Sequence, residues 1–294
     1  MTTFQKIIKY GAIAFGIYLC VIIISAIIFT LTAIFGITIG ISQLEESWNN
    51  SNDIVNSDSN EIIESQNYDY TDIKKLDVEL SLCKFDIVVD NTLTNNLKVE
   101  IRNGSNKIYS EQSGSNLKIE DDTITSMDFF KSRNIVPEII ISIPDNYEFE
   151  SAEIKVSINE SNIEQLYGKK VKIETGGGRV VIKNVVADEL DIEGGAGEII
   201  VENSRAERLD FEAGVGNAEI TTEVMNRADI DSGVGKLELN LLGDRDNYMI
   251  IPSVGIGAVI VDNEKAVSKN VIGSGNQKVS IDAGVGEIVV NFAQ

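Results

Sequence analysis

The chain has 294 residues, a formal charge of −21 and no histidine. These values exclude Ser-His-Asp and Cys-His catalysis and every His-ligated metal centre, and so acidic a chain repels nucleic acid and anionic lipid headgroups. Its two cysteines, Cys20 in an apolar run and Cys83 far off in a polar domain, do not make a disulfide scaffold, so packing must hold the fold.

The acid is unevenly spread. Residues 1–41 carry only Lys6 and Lys9, leaving 46 acids against 23 bases in the rest. From Gly11 to Ile41 run 31 uncharged residues. A bilayer core needs about 20 apolar residues, so the run predicts one overlong or tilted transmembrane span, residues 10–41. The lysines before it and the acids after it put residues 1–9 in the cytoplasm and everything beyond 41 outside. Tyr10 and Trp48 stand near its two ends, where interfacial aromatics are expected. A cleaved signal peptide is the rival reading, but its apolar region is normally about 7–15 residues. A lipoprotein through Cys20 is weaker, because Leu19 precedes the cysteine where a small residue is wanted.

Residues 42–71 are rich in Ser, Asn, Asp and Glu without a sustained period, which predicts an acidic stalk. From 72 to 294 short runs alternate apolar and polar residues ("KLDVEL", "KFDIVV", "EIIISIP"), the mark of strands, and almost no helix is expected. "EIIISIPDNYEFESAEIKVSIN" (138–159) reads as strand, turn near Pro144, strand. Within "DDTITSMDFFKSRN" (121–134), Met127, Phe129 and Phe130 form an apolar tip, readable as a cap over the first coil or as a partner-binding loop.

The strongest signal is a 19-residue period. "VKIETGGGRVVIKNV" begins at 171, and related units begin at 190, 209 and 228. Two glycine columns fall in register, Gly176, Gly195, Gly214, Gly233 and Gly178, Gly197, Gly216, Gly235. The period then loosens: "IPSVGIGAVIV" (251–261) is shifted by three residues, and "VSIDAGVGEIVVNF", with Gly284 and Gly286, closes the chain after an insertion at 262–278. A fixed period of this size predicts an all-β, single-chain β-solenoid of ~19-residue coils. Each coil is read as strand, glycine corner, strand, turn. In 228–239, Ile230, Ser232 and Val234 share one parity and Leu237 and Leu239 the other, so a bend near Gly235 is expected to return both sets to the interior. A phosphate cradle would need a helix after the glycines, and β-branched runs follow instead. Upstream, "LDVELSLCKFDIVVDN" (76–91) aligns as a degenerate unit, placing Cys83 at a corner as a small structural residue.

Beside the glycines runs an acidic column, Glu174, Glu193, Glu212 and Asp231, expected on one outer face of adjacent coils. Two readings of it stand: a solvated face, or a weak Ca²⁺ site formed by stacked carboxylates. No other cofactor is implied. A polysaccharide hydrolase would need two acids ~5–9 Å apart in a cleft, and nothing in the sequence marks one or sets sugar-stacking aromatics beside it.

A strand ending in "ISIP" (141–144), followed by tandem "LDIEGGAGEIIVEN"-type units behind one N-terminal span, resembles the bacterial putative-adhesin, or toast-rack, family of β-strand repeats. The resemblance covers 72–294. It implies a β-solenoid in an extracytoplasmic position and offers no catalytic residues to carry over. The weak repeats before 170 and the long insertion at 262–278 depart from the pattern. The expected function is therefore a non-enzymatic binding or scaffold module of the cell envelope, anchored in the cell membrane by a single pass. Its partner would be a membrane protein, as in envelope-stress signalling, or the cell wall. A surface adhesin and an envelope polysaccharide enzyme are the alternatives.

Overall fold

The computed structural model describes residues 62–105, 107–121 and 136–293. The expected cytoplasmic N-terminus, the span at 10–41, most of the stalk and the Met127, Phe129, Phe130 tip lie outside the described residues. Among the described residues no helix is long and apolar enough to cross a membrane.

Among the described residues twelve strands form one sheet system. The coil wall consists of β2 (Lys75–Val89), β7 (Glu148–Ile163), β8 (Leu166–Lys183), the 58-residue β9 (Val185–Leu242), β10 (Tyr248–Val261) and β12 (Gln277–Ala293). These pair in parallel in the spatial order β2-β7-β8-β9-β12-β10. The 19-residue period is the register itself: Ile173 pairs with Ile192, Glu174 with Glu193 and Gly178 with Gly197.

Burial shows three inward pairs per turn: Leu190 and Ile192, Ile199 and Val201, then Ser204 and Ala206, before Leu209 and Phe211 begin the next turn. The stretch read as a plain turn thus carries a third wall of its own, hidden in the sequence because Ser204 is polar. Asn184 and Asn203 make the corner before that wall, both with left-handed backbone (φ 49° and 53°). Asn203 Nδ2 donates to Asn184 Oδ1 at 2.7 Å, and Asn184 Nδ2 to the Glu164 carbonyl at 2.9 Å. Asparagine tolerates this conformation, and its amide stacks from coil to coil.

The glycine corner differs from its parity-based expectation. Ile230 and Leu237 are buried, but Val234 between them is 47% exposed. The chain leaves the interior after Ile230 and re-enters at Leu237, so the bend turns Val234 outward instead of restoring it to the core.

The last two coils are stacked out of chain order. β12 lies between β9 and β10, with Ile281 on Ile230, Val285 on Val234 and Ile288 on Leu237. The insertion after β10 explains the reversal. It forms β11 (Glu264–Ala266), antiparallel to Val259–Val261, and then follows the rest of the β10 edge before returning to start β12. The terminal coil thereby receives a cover over its unpaired edge.

The other end is closed by non-solenoid strands. β5 (Asn116–Asp121) and β6 (Glu138–Ile143) pair in parallel with the two halves of β2. β3 (Asn96–Ser105) is antiparallel to β6, β1 (Ile62–Thr71) to β3, and β4 (Ile108–Ser113) to β5. β1 falls in the stretch read as stalk, so the folded unit begins ten residues before 72. Leu97, Val99, Ile101, Leu117, Ile119, Ile139 and Ile141 continue the solenoid core into this cap. Asn60–Gln294 is one compact unit, and its described residues share a continuous core, the organisation of a domain that in principle folds alone.

Candidate functional site

Two glycine columns shape the outer corner. In the first, a β-carbon on Gly195 would stand 2.3 Å from the Gly176 carbonyl oxygen, and Gly214 and Gly233 meet the preceding coil at the same distance. In the second, Gly178, Gly197, Gly216, Gly235 and Gly286 all have positive φ, and the last four would each drive a β-carbon within 2 Å of the carbonyl one coil away. The corner glycines are required by close backbone approach as well as by conformation.

Flanking these corners runs an open trough of about 850 Å³, lined by Glu174, Glu193, Glu212 and Asp231 with the corner backbone as its floor. All four expected ladder residues line it, with Glu174 directly on Glu193. The column continues through Asp282, which pairs with Asp231. Asp282 was visible in "DAGVGEIVV" but stands outside the 19-residue register, because its unit is displaced in the chain and not in space. A second acidic row, Asp191, Asp210 and Asp229, lies two residues upstream, alternate positions of a strand sharing one face.

The charge along the trough is graded. At the β7–β8 end Lys172 reaches Glu174 (2.9 Å), Glu193 (2.7 Å) and Asp191 (3.4 Å), and Lys155 reaches Glu153 (2.7 Å) and Glu174 (3.7 Å). Further on, Glu212, Asp231 and Asp282 have no ion pair among the described residues. Partial burial, followed by the charges of Asp282, Asp229 and Asp210, raises the Asp231 carboxyl above the ordinary aspartate value. Burial and then Asp229 and Asp191 do the same to Asp210. Among the described residues no three acids are grouped so as to hold a metal ion. Stacked coils about 4.8 Å apart set the carboxylates in a row, whereas a Ca²⁺ site needs six to eight oxygens converging on one point.

Cys83 occupies the second corner column, pairing with Asn159, which pairs with Gly178. It is 3% exposed, and burial, then Asp121 and Asp86, push its thiol up to about 12. A reactive thiol needs the opposite shift, so Cys83 is a packing residue.

These features define a class: an end-capped, single-chain β-solenoid that carries its chemical features on the outside of its coils. The chain belongs to the Toastrack DUF4097 family, whose model matches residues 73–290. No curated protein matches the chain. Among solved structures it is similar to a "putative cell adhesion protein" from Clostridium sporogenes, at 16% identity over 78% of this chain and 100% of that one (TM-score 0.35). A "putative adhesin" from Bacteroides fragilis is also 16% identical, over 79% of this chain and 98% of that one (TM-score 0.38). A "putative lipid binding protein" from Parabacteroides distasonis is 16% identical, over 79% and 97% (TM-score 0.36).

Proposed function

We propose that this chain is a non-catalytic binding or scaffold module of the bacterial cell envelope. Residues 10–41 anchor it in the membrane by a single pass, and the solenoid works outside the cytoplasm with a membrane-protein partner, in the manner of an envelope-stress regulator. The observation that carries the reading is the graded acidic trough. It is a long, open surface, built by stacking similar corners and suited to recognition by shape and charge. Its lining residues are acidic, small or aliphatic, with Lys155 at one end and no aromatic ring among them. A polysaccharide-cleaving site would instead enclose and distort a bound sugar between its paired acids, whereas this trough is open along its length. The short stalk favours a partner at the membrane over a ligand beyond a thick wall, which is the ground for preferring this role to that of a surface adhesin.

The test uses residues 60–294 mixed with native cell-wall sacculi and sedimented, together with crosslinking of the full chain in intact cells. Protein left in the supernatant, and a crosslink to a membrane protein, support the proposed role. Co-pelleting that survives moderate salt overturns it in favour of a wall-binding adhesin.

A further inference from the structure

A row of aliphatic side chains stands on the crest of the glycine corner, three residues beyond the acidic column. Ala196, Val215, Val234, Val285 and Ile256 occupy equivalent positions on successive coils, with Val234 paired to Val285 and Val285 to Ile256. Ala196 is exposed, and the others are 57%, 47%, 44% and 71% exposed. Single exposed apolar residues are ordinary, but a contiguous row is a mark of an interaction surface. The fold does not need it, since Gly177 holds the same position one coil earlier.

The two flanks of the crest differ. On the far side cations stand among the acids: Arg179 pairs with Glu198 at 2.7 Å, and Lys236 pairs with Glu238 at 2.7 Å and also feels Glu287 and Glu219. On the trough side stand Glu212, Asp231 and Asp282, without a cation among the described residues. An occupant must therefore bring an apolar stripe with positive charge along one side of it.

The spacing selects its secondary structure. The crest repeats every ~4.8 Å, the distance between neighbouring strands. Side chains on one face of an extended peptide recur at ~6.7 Å and soon lose register. Successive turns of an α-helix recur at ~5.4 Å, and the four intervals from Ala196 to Ile256, about 19 Å, match about 13 helical residues. We infer that the crest and the acidic trough beside it form a docking surface for a short amphipathic α-helix of a partner protein. That helix lies along the solenoid axis, with an aliphatic stripe on the Val215–Ile256 crest and a Lys/Arg stripe over Glu212, Asp231 and Asp282. The inference deepens the binding-module reading and rests on it. It follows the general mode in which an amphipathic helix lays its apolar face on a complementary surface.

The probe is a fluorescently labelled 14-residue model helix with adjacent Leu and Lys stripes, titrated with residues 60–294 and read by anisotropy. Two control peptides accompany it: one of the same composition with its order scrambled, and one with Glu for every Lys. The stripe peptide is expected to bind at least tenfold more tightly than either control. V215D/I256D should weaken it at least tenfold, and E212Q/D282Q at least fivefold with a shallower salt dependence. Both crest residues are largely exposed, so the fold should tolerate the change. V215S/I256S serves as a milder second pair, and circular dichroism melts verify folding of each variant. Equal binding of the scrambled peptide, or full affinity in a folded V215D/I256D variant, overturns the inference by reducing the contact to charge alone. If no peptide binds while crosslinking in cells still finds a membrane partner, the helix proposal fails and the module reading survives.

Discussion

Gly235 lies one coil on from Gly216, and a β-carbon on Gly235 would fall 1.6 Å from the Gly216 carbonyl oxygen. Gly235 also has φ +147°, a conformation that side-chain-bearing residues rarely adopt. Both obstacles are backbone, so no side chain can move aside. Gly235→Ala is expected to cost about 3 kcal/mol or more, through combined strain and displacement of the corner. Gly114→Ala is the control: φ is +60°, but nothing lies within 4 Å of its β-carbon. Its cost should be about 1–2 kcal/mol, the left-handed penalty alone. Urea melts of residues 60–294 measure both, and equal losses would refute the close-approach argument.

The glycine columns were legible in the sequence because both their causes repeat every turn. Other features were not, for specific reasons. Alternation along a continuous strand would put Val234 inside, whereas the corner interrupts the strand and turns Val234 out. The third wall was hidden because Ser204 and Ala206 are too polar and too small to mark an apolar run. The β12–β10 exchange leaves no periodic trace, although β12 resembles the β9 coil that it pairs with more closely than β10 does: "DSGVGKLEL" beside "DAGVGEIVV". β1 looked like linker because alternate residues in "SQNYDYT" are solvated and polar.

Asp231 and Glu138 should respond to pH in opposite ways. Burial and neighbouring carboxylates raise the Asp231 carboxyl, so its ionised form opposes folding above that raised value. Asp231→Asn should therefore stabilise at pH 7 by under about 1 kcal/mol, less in high salt. The gain should fade as pH drops through the raised value and vanish below the ordinary aspartate range. Glu138 receives Lys84 at 2.7 Å and Arg102 at 3.1 Å, and the hydrogen bond from Lys84 leads in holding its carboxyl below the usual range. Its stabilisation is present above the unfolded value and lost as pH falls through the folded one. Glu138→Gln should cost up to about 1 kcal/mol at pH 7 and little in strong acid. Thermal melts from pH 7 to pH 3 check both signs.

Lys172 is the hub of the ion-paired end of the trough, with three carboxylates within 3.4 Å. Lys172→Met leaves those charges facing one another and should lower stability by about 0.5–1 kcal/mol. Glu193→Gln in the same background should recover part of that loss. A double-mutant cycle measures the coupling, and strict additivity would show that the cluster contributes nothing as a unit.

Cys83 should be inert in the native protein. With the thiol pushed up to about 12 and its side chain buried, almost no thiolate is present or reachable at pH 8. In residues 60–294, where it is the sole cysteine, a thiol reagent should react with less than a tenth of the protein until denaturant is added. Prompt stoichiometric labelling without unfolding would contradict the packing role.

The stretch that covers β10 has a role separable from the core. Ile250 and Ile272 exchange hydrogen bonds of 2.8 and 2.9 Å, the Lys269 amide donates to the Pro252 carbonyl at 2.6 Å, and the Gly275 amide to the Tyr248 carbonyl at 3.2 Å. Ser268 Oγ accepts from the Val254 amide at 3.0 Å. Gly273 and Gly275 allow this approach, since a β-carbon on either would lie within 2.3 Å of the 247–248 backbone. Residues 267–275 thus satisfy edge groups of the terminal coil that would otherwise template pairing with another chain. Replacing them with a Gly-Ser linker of equal length keeps the connection to β12 but exposes that edge. The variant should melt earlier and associate more strongly than the parent as concentration rises, measured by size-exclusion chromatography with light scattering. An unchanged mass across a hundredfold concentration range would mean that the terminal coil is protected by other means, with Pro252 and the exposed charges Glu264 and Lys265 the first candidates.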